Sequence, residues 1–200
     1  VDVNKSVAEF GVEGKNIRFG FNAVKSMGRP TITAIIEERT NNGDFHSMQD
    51  FITRMAGVIN KRTVEHLILA GAFDTFGNTR RGMMNVYERM IDSAVKQNKD
   101  AISGQMSLFD FVSEEDKQSL EMKVPDIQEF EKEDLLEREK EVLGVYVTGH
   151  PLDEYTGMWE KHISARSTDF LIDEETGQAK LMNGSKQTIG GLISNIKVIT

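Results

Sequence analysis

The residues near the start of the chain that are best suited to chemistry form a cation-rich turn. Positions 24–36 read VKSMGRPTITAII, which predicts a helix, a tight turn that closes at Gly28, and a second helix that begins near Pro30. The free backbone amides at the start of a helix lie at the positive end of its dipole and attract an anion. The pattern therefore favours binding of phosphate groups over catalysis. The candidate residues are Lys25, Ser26, Met27, Gly28, Arg29 and Thr31.

A second, looser copy of this pattern follows at positions 73–84, FDTFGNTRRGMM. Gly77 takes the place of Gly28, and two arginines fall in the first turn of the next predicted helix. A cation at that position interacts unfavourably with the positive end of the helix dipole. A phosphate bound there would make the interaction favourable. The candidate residues of this copy are Thr75, Gly77, Asn78, Thr79, Arg80 and Arg81.

Both turns have the form of the helix-hairpin-helix module, which grips DNA phosphates without reading bases. Ser26 stands where the first hairpin of such a module usually has glycine. A short glycine turn between two helices is also common as ordinary packing. The alternative that both hairpins only pack against protein therefore stays open.

A third motif lies in residues 97–125, which are mostly polar and are predicted to be an exposed linker. Within it, Gln105, Met106, Ser107, Leu108 and Phe109 have the form of a docking peptide. The Gln amide can pair with a backbone, while Leu and Phe can fill an apolar pocket. The alternative is that Leu108 and Phe109 fold back onto the helices of this chain.

Catalytic and metal-binding patterns are missing from the sequence. With no cysteine, the 200 residues hold no thiol nucleophile, disulfide or Cys-ligated metal. The four histidines show no metal-ligand spacing and are interpreted as solvated or hydrogen-bonded structural residues. No Asp-x-Asp pair, P-loop or dinucleotide fingerprint occurs. We therefore expect no active site within this chain.

The charge distribution divides the chain into unlike halves. Residues 1–100 hold 14 Lys and Arg against 12 Asp and Glu, whereas residues 101–200 hold 10 against 20. Only the first half could approach a phosphate backbone without net repulsion. No apolar run approaches the roughly 18 residues of a membrane span, and the first ten residues lack the apolar core of a signal peptide, so a soluble, cytoplasmic protein is expected. Because the sequence begins with Val1, we expect a piece of a longer protein.

Several predicted elements must position these motifs. Alternating residues within 7–21 predict a β-hairpin that turns at 13–16. Apolar residues at helical spacing predict helices at 31–39, 47–55, 61–70 and 80–96, and a charged helix at 126–147. Thr148–Pro151 is expected to end that last helix, and the β-branched stretch 188–200 resembles the opening strands of a β-domain.

Five stretches of the sequence resemble, in the same order, the C-terminal portion of the alpha (polymerase) subunit of bacterial DNA polymerase III. They are IRFGFNAVKSMG at 17–28, NKRTVEHLILAGAFDTFG at 60–77, GQMSLF at 104–109, EKEVLGVYVTGHPLDEY at 139–155 and QTIGGLIS at 187–194. Together these stretches span nearly the whole chain.

The resemblance implies a mainly α fold with five segments. These are the end of the fingers with a β-hairpin (1–22), a tandem helix-hairpin-helix DNA-binding domain (23–100), a linker with a clamp-binding motif (101–125), a helical segment (126–164) and a partial β stub that starts an OB-fold (165–200). The linker motif, residues 105–109, would dock into the β sliding clamp. The catalytic aspartates of the family lie upstream of Val1, so no catalytic residue and no cofactor is carried over, although Mg²⁺ is expected for the whole polymerase.

Three functions follow as hypotheses. The first is a segment of a DNA-directed DNA polymerase that binds duplex DNA and the β sliding clamp, alongside other replisome subunits. The second is a helix-hairpin-helix module of a repair enzyme. The third is a structural helical interaction domain, for which duplex binding would show no salt dependence.

Overall fold

The computed structural model describes residues 1–102, 122–174, 177–193 and 196–198. The chain divides into two compact units, Val1–Val147 and Thr148–Thr200. The boundary falls inside the segment 126–164, which the sequence alone treats as one piece. The predicted docking peptide at 105–109 lies outside the described residues.

The first unit opens with the predicted β-hairpin and continues as helices, which confirms a mainly α fold. Strands β1 (Gly11–Glu13) and β2 (Asn16–Arg18) pair antiparallel, with Val12 opposite Ile17. The helices of this unit are α1 (Arg29–Asn42), α2 (Met48–Arg54), α3 (Lys61–Leu69), α4 (Arg80–Ile102) and α5 (Lys132–Leu143). Short 3-10 turns at Phe21–Ala23 and Asp74–Phe76 precede α1 and α4. Helix α4 thus extends into the segment that was predicted to be linker.

Local side-chain caps explain where two of the helices begin. The Ser47 hydroxyl accepts a hydrogen bond from the amide of Asp50 at 3.0 Å, which caps α2. The Asn60 side chain does the same for α3, by accepting from the amide of Thr63 at 2.9 Å. Such caps satisfy amides that the first helical turn leaves without a partner.

A core of buried side chains joins α1 to α4. Phe51 of α2 lies at its centre, with ring centroids 5.0 Å from Phe45 and 5.1 Å from Phe73 in edge-to-face geometry. Loss of such a buried ring costs about 3–5 kcal/mol. A second buried cluster seats α5 against the end of α3 and comprises Val24, Leu69, Ala70, Val142 and Leu143.

The prediction of one helix over 126–147 is wrong at both ends. Residues 122–131, here called the strap, form no helix, and α5 covers only Lys132–Leu143. Three of its polar contacts go to the start of α4: the carbonyl of Ile127 accepts from Thr79, and the carboxylate of Glu129 accepts from the amides of Arg80 and Arg81. At the other end Gly144 adopts a left-handed conformation (φ 78°) and caps α5 before Thr148 is reached.

The strap also corrects the predicted extent of the exposed linker. Met122 and Val124 are half-buried and pack against the main core. The end of the segment 97–125 is therefore held by the first unit.

The second unit contains 3-10 turns at Asp153–Tyr155 and Ser167–Phe170 and helix α6 (Thr156–His162). Among its described residues no strand forms in the stretch 188–200, and the one backbone bridge pairs Ile172 with Ala179. Across the described parts of both units, no helix is long and apolar enough to cross a membrane.

Candidate nucleic-acid interface

The first hairpin turns at Ser26 rather than at Gly28. Ser26 has φ 66°, and within the described ranges it is the one residue other than glycine with a positive φ. Gly28 is extended (φ −79°, ψ 148°) and precedes α1, so its own conformation needs no glycine. The element before the turn is the 3-10 turn Phe21–Ala23, which replaces the full helix predicted there. Ser26 thus takes the left-handed conformation at the position where the module usually has glycine.

The start of α1 has the properties of an anion site. No side chain caps it, and its first turn carries no acidic residue. Its first intrahelical hydrogen bond runs from the amide of Ile32 to the carbonyl of Gly28 at 3.1 Å. The amides before Ile32 therefore have no partner within the helix. Lys25 and Arg29 are exposed beside them, so the local charge is positive.

Two hydrogen bonds, one to α5 and one to α3, hold the first turn in place. The amide of Lys25 donates to the carbonyl of Val142, in α5, at 2.9 Å. The carbonyl of Lys25 lies 2.7 Å from Nδ1 of His66, in α3. Since a carbonyl only accepts, Nδ1 must carry the proton that it donates. His66 is thus a hydrogen-bonded structural histidine, as expected, and it positions the turn.

Met27 and Thr31 complete the candidate set of the first hairpin. Met27 is half-buried and packs against both buried clusters, so it anchors the turn rather than facing a ligand. Thr31 is half-exposed in the first turn of α1.

The second hairpin links α3 to α4 and differs from the first in its cations. Gly77 has φ 80° and ends the turn at Asp74–Phe76. Thr75, Asn78 and Arg81 are exposed, and Thr79 is half-buried. Arg80, in contrast, is only 4% exposed. The two predicted arginines therefore lie in opposite environments.

Arg80 is paired within the protein. Its Nε and Nη2 donate to the two carboxylate oxygens of Asp74 at 3.0 and 2.7 Å, and its Nη1 donates to the carbonyl of Leu69 at 2.9 Å. The same Nη1 lies 3.5 Å from Oε1 of Glu139, in α5. Burial alone would lower the pKa of Arg80, but the hydrogen bonds and charges of Asp74 and Glu139 outweigh it and raise the pKa. The structure therefore does not present Arg80 to a phosphate.

The start of α4 already holds an anion, which is the side chain of Glu129 in the strap. The amide of Arg80 donates to Oε2 of Glu129 at 2.6 Å, and the amide of Arg81 donates to Oε1 at 2.9 Å. Local sequence reasoning missed Glu129 because it lies far along the chain from the amides that it accepts from. The signal that could have pointed to it was the pair of arginines in the first turn of a helix, which calls for a nearby negative charge.

A comparison with protein families matches residues 1–83 to the helix-hairpin-helix motif, and this match includes both turns. Among curated proteins, the chain is 32% identical over 199 residues to a DNA polymerase III subunit alpha of Borreliella burgdorferi, with 99% of this chain and 17% of that protein covered. It is 34% identical over 189 residues to the one of Chlamydia pneumoniae, with 87% and 15% covered. It is 32% identical over 201 residues to the one of Vibrio cholerae, with 100% and 17% covered. The chain thus spans about one sixth of the length of the curated relatives that it matches.

Proposed function

Since this chain belongs, as one segment, to the DNA polymerase III alpha subunits, we propose that it supplies duplex binding and clamp attachment to a DNA-directed DNA polymerase. In the whole protein, deoxynucleotides would be added to a primer with the help of Mg²⁺. Among the described residues no group of three His, Asp or Glu side chains could hold a metal ion.

The observation that carries the duplex-binding proposal is the uncapped start of α1. Exposed Lys25 and Arg29 flank backbone amides that carry no side-chain cap. Each phosphate that binds there releases condensed counterions, so affinity falls with salt at about 0.9 log units per log unit for each contact on duplex DNA. Contacts of this kind hold a duplex in any sequence register, as a polymerase requires of the product that leaves it.

Duplex binding is tested by fluorescence anisotropy over a series of salt concentrations. We expect Arg29→Ala to weaken binding for all sequences alike and to reduce the salt slope by about 1. Arg89→Ala is the matched control, because Arg89 is an exposed arginine of α4 outside both hairpins. Equal effects of the two substitutions, or a flat salt response of the unmodified chain, would contradict the proposal and favour a structural interaction domain.

The clamp-binding proposal rests on the sequence of residues 105–109 and on its resemblance to the polymerase family. Leu108 and Phe109 would each contribute on the order of 1.5–3 kcal/mol if buried in a pocket of the clamp, before ordering costs. The described residues on either side, Ile102 at the end of α4 and Met122 in the strap, both belong to the first unit. A clamp held at this peptide would therefore be tied to the same unit as the hairpins.

Clamp binding is measured separately from DNA binding, with a bacterial β sliding clamp immobilised on a sensor. We expect the triple substitution Gln105→Ala, Leu108→Ala, Phe109→Ala to abolish binding. Substitution of Met106 and Ser107 by alanine is the control, because neither supplies the amide or the two apolar anchors. Equal binding by all forms, or none by the unmodified chain, would remove the clamp from the proposed function and leave duplex binding unaffected.

A further inference from the structure

We infer that the two hairpins have different tasks: the first contacts the duplex, whereas Glu129 fills the phosphate position of the second and makes it an internal joint. The part that concerns DNA rests on the proposed duplex binding. The part that concerns Glu129 rests on contacts within the first unit.

Glu129 reproduces the contacts that a phosphate makes at a helix start. Its two carboxylate oxygens each accept one amide of the first turn of α4, at 2.6 Å from Arg80 and 2.9 Å from Arg81. Two non-bridging phosphate oxygens would bind the same pair of amides. Because one position cannot hold two anions, a duplex could bind there only after Glu129 had left.

The backbone of the strap makes such a departure difficult. The hydroxyl of Thr79 donates to the carbonyl of Ile127 at 3.1 Å and also accepts from the amide of Gly82 at 3.0 Å. A Cβ added to Gly82 would lie 2.6 Å from the carbonyl oxygen of Pro125, so the strap lies directly against α4. Lifting Glu129 away would require these contacts to break together with the packing of Val124 on the core.

The cations of the two hairpins differ in exposure, in agreement with the different tasks inferred for the hairpins. Lys25 and Arg29 of the first hairpin are exposed, and no acidic residue lies in the first turn of α1. In the second hairpin Arg80 is buried against Asp74 and Glu139, which leaves Arg81 as the exposed arginine of the pair. The first hairpin therefore offers a positive surface, while the second uses its charge to join α3, α4 and α5.

The test compares duplex affinity across a salt series for the full 200-residue chain and four single variants. The variants are Arg29→Ala, Arg81→Ala, Glu129→Gln and Asp126→Asn. Asp126 is an exposed carboxylate of the same strap, so its substitution removes the same charge without removing an acceptor of the Arg80 and Arg81 amides. We expect Arg29→Ala to lower the salt slope by about 1 and Arg81→Ala to leave it unchanged. Glu129→Gln and Asp126→Asn should change the affinity equally.

A different DNA-binding result would overturn the inference. If Glu129→Gln tightened binding well beyond Asp126→Asn, and Arg81→Ala then removed the gain, the second hairpin would be a masked DNA site. A loss of salt slope with Arg81→Ala alone would show that the second hairpin binds phosphate as the protein stands.

Hydrogen exchange of the Arg80 and Arg81 amides, followed by NMR, tests the role of Glu129 without DNA. We expect Glu129→Gln to speed exchange of both amides and Asp126→Asn to leave them protected. Equal protection in the two variants would show that Glu129 does not hold the start of α4. Absence of duplex binding by the unmodified chain would instead contradict the proposed function and the assignment of the first hairpin to DNA binding. In that case the hydrogen-exchange result would still decide whether Glu129 holds the start of α4 in the second hairpin.

Discussion

The guanidinium of Arg80 and the carboxylate of Glu139 face each other at 3.5 Å with side chains that are 5% and 1% exposed. The second oxygen of Glu139 accepts from the amide of Val147 at 2.7 Å. Through this pair the second hairpin is joined to α5 and to the last residue of the first unit. An ion pair of this kind contributes mainly by preventing an uncompensated buried charge.

Glu139→Ala should therefore destabilise the first unit strongly. Removing one partner of a buried ion pair costs about 3–5 kcal/mol, because the other charge stays buried without compensation. Chemical denaturation followed by circular dichroism measures the change in free energy of unfolding. Glu141→Ala is the matched control, since Glu141 is an exposed glutamate of the same helix. Equal stability of the two variants would mean that Asp74 and the carbonyl of Leu69 satisfy Arg80 without Glu139.

The helix caps can be predicted from the sequence, whereas the contacts of Arg80 cannot. Ser47 and Asn60 cap helices through amides three residues away, so local rules place the starts of α2 and α3. Apolar spacing likewise predicts α1 and α4. These elements follow from interactions within a few residues, which a single sequence contains directly.

The candidate site depends on contacts that no local rule can find. Glu129 and Glu139 reach α4 from 49 and 59 residues away, and His66 reaches Lys25 from 41 residues away. Charged residues at 126–131 favour a helix locally, whereas in the structure Ile127 and Glu129 bond to the start of α4 and the segment forms no helix. Because these partners lie far along the chain, the sequence alone predicts two similar hairpins. Only the tertiary structure distinguishes the first hairpin, whose cations are exposed, from the second, whose helix start is occupied by Glu129.

Ser26→Gly should stabilise the protein slightly. A residue with a side chain pays about 1–2 kcal/mol in the left-handed conformation, and glycine avoids that penalty while losing about 0.5–1 kcal/mol of backbone entropy. We expect a net gain of about 0.5–1 kcal/mol in the free energy of unfolding, measured by denaturant titration. Ser26→Ala keeps the penalty and serves as the control. A loss of stability in the glycine variant would indicate that the Ser26 hydroxyl contributes more than its backbone conformation costs.

Stability should fall at high pH through Tyr87. Burial, followed by the charges of Glu65 and Glu88, raises the pKa of Tyr87 from 10.0 to about 12. The folded state thus binds this proton more tightly than the unfolded chain does. The stabilisation is complete below pH 10 and is lost as pH rises towards about 12.

The measurement for Tyr87 is the free energy of unfolding as a function of pH, compared between the unmodified chain and Tyr87→Phe. Because phenylalanine does not titrate, the difference between the two curves isolates Tyr87 from lysines and other tyrosines that titrate nearby. We expect the difference to change between pH 10 and about pH 12 in favour of the phenylalanine variant. Parallel curves would show that the hydroxyl of Tyr87 reaches solvent when it ionises.

His66 should control duplex affinity without touching DNA. Its Nδ1 proton is donated to the carbonyl of Lys25, so loss of the ring frees one end of the first turn. We expect His66→Ala to weaken duplex binding several-fold and to leave the salt slope unchanged, because no phosphate contact is removed. His66→Asn, whose amide nitrogen can donate from a similar position, should restore most of the affinity. His46→Ala is the control, since His46 is an exposed histidine outside both hairpins. A reduced salt slope in His66→Ala would instead show that the imidazole itself contacts a phosphate. If His66→Asn did not restore the affinity, the effect would be due to packing of the ring.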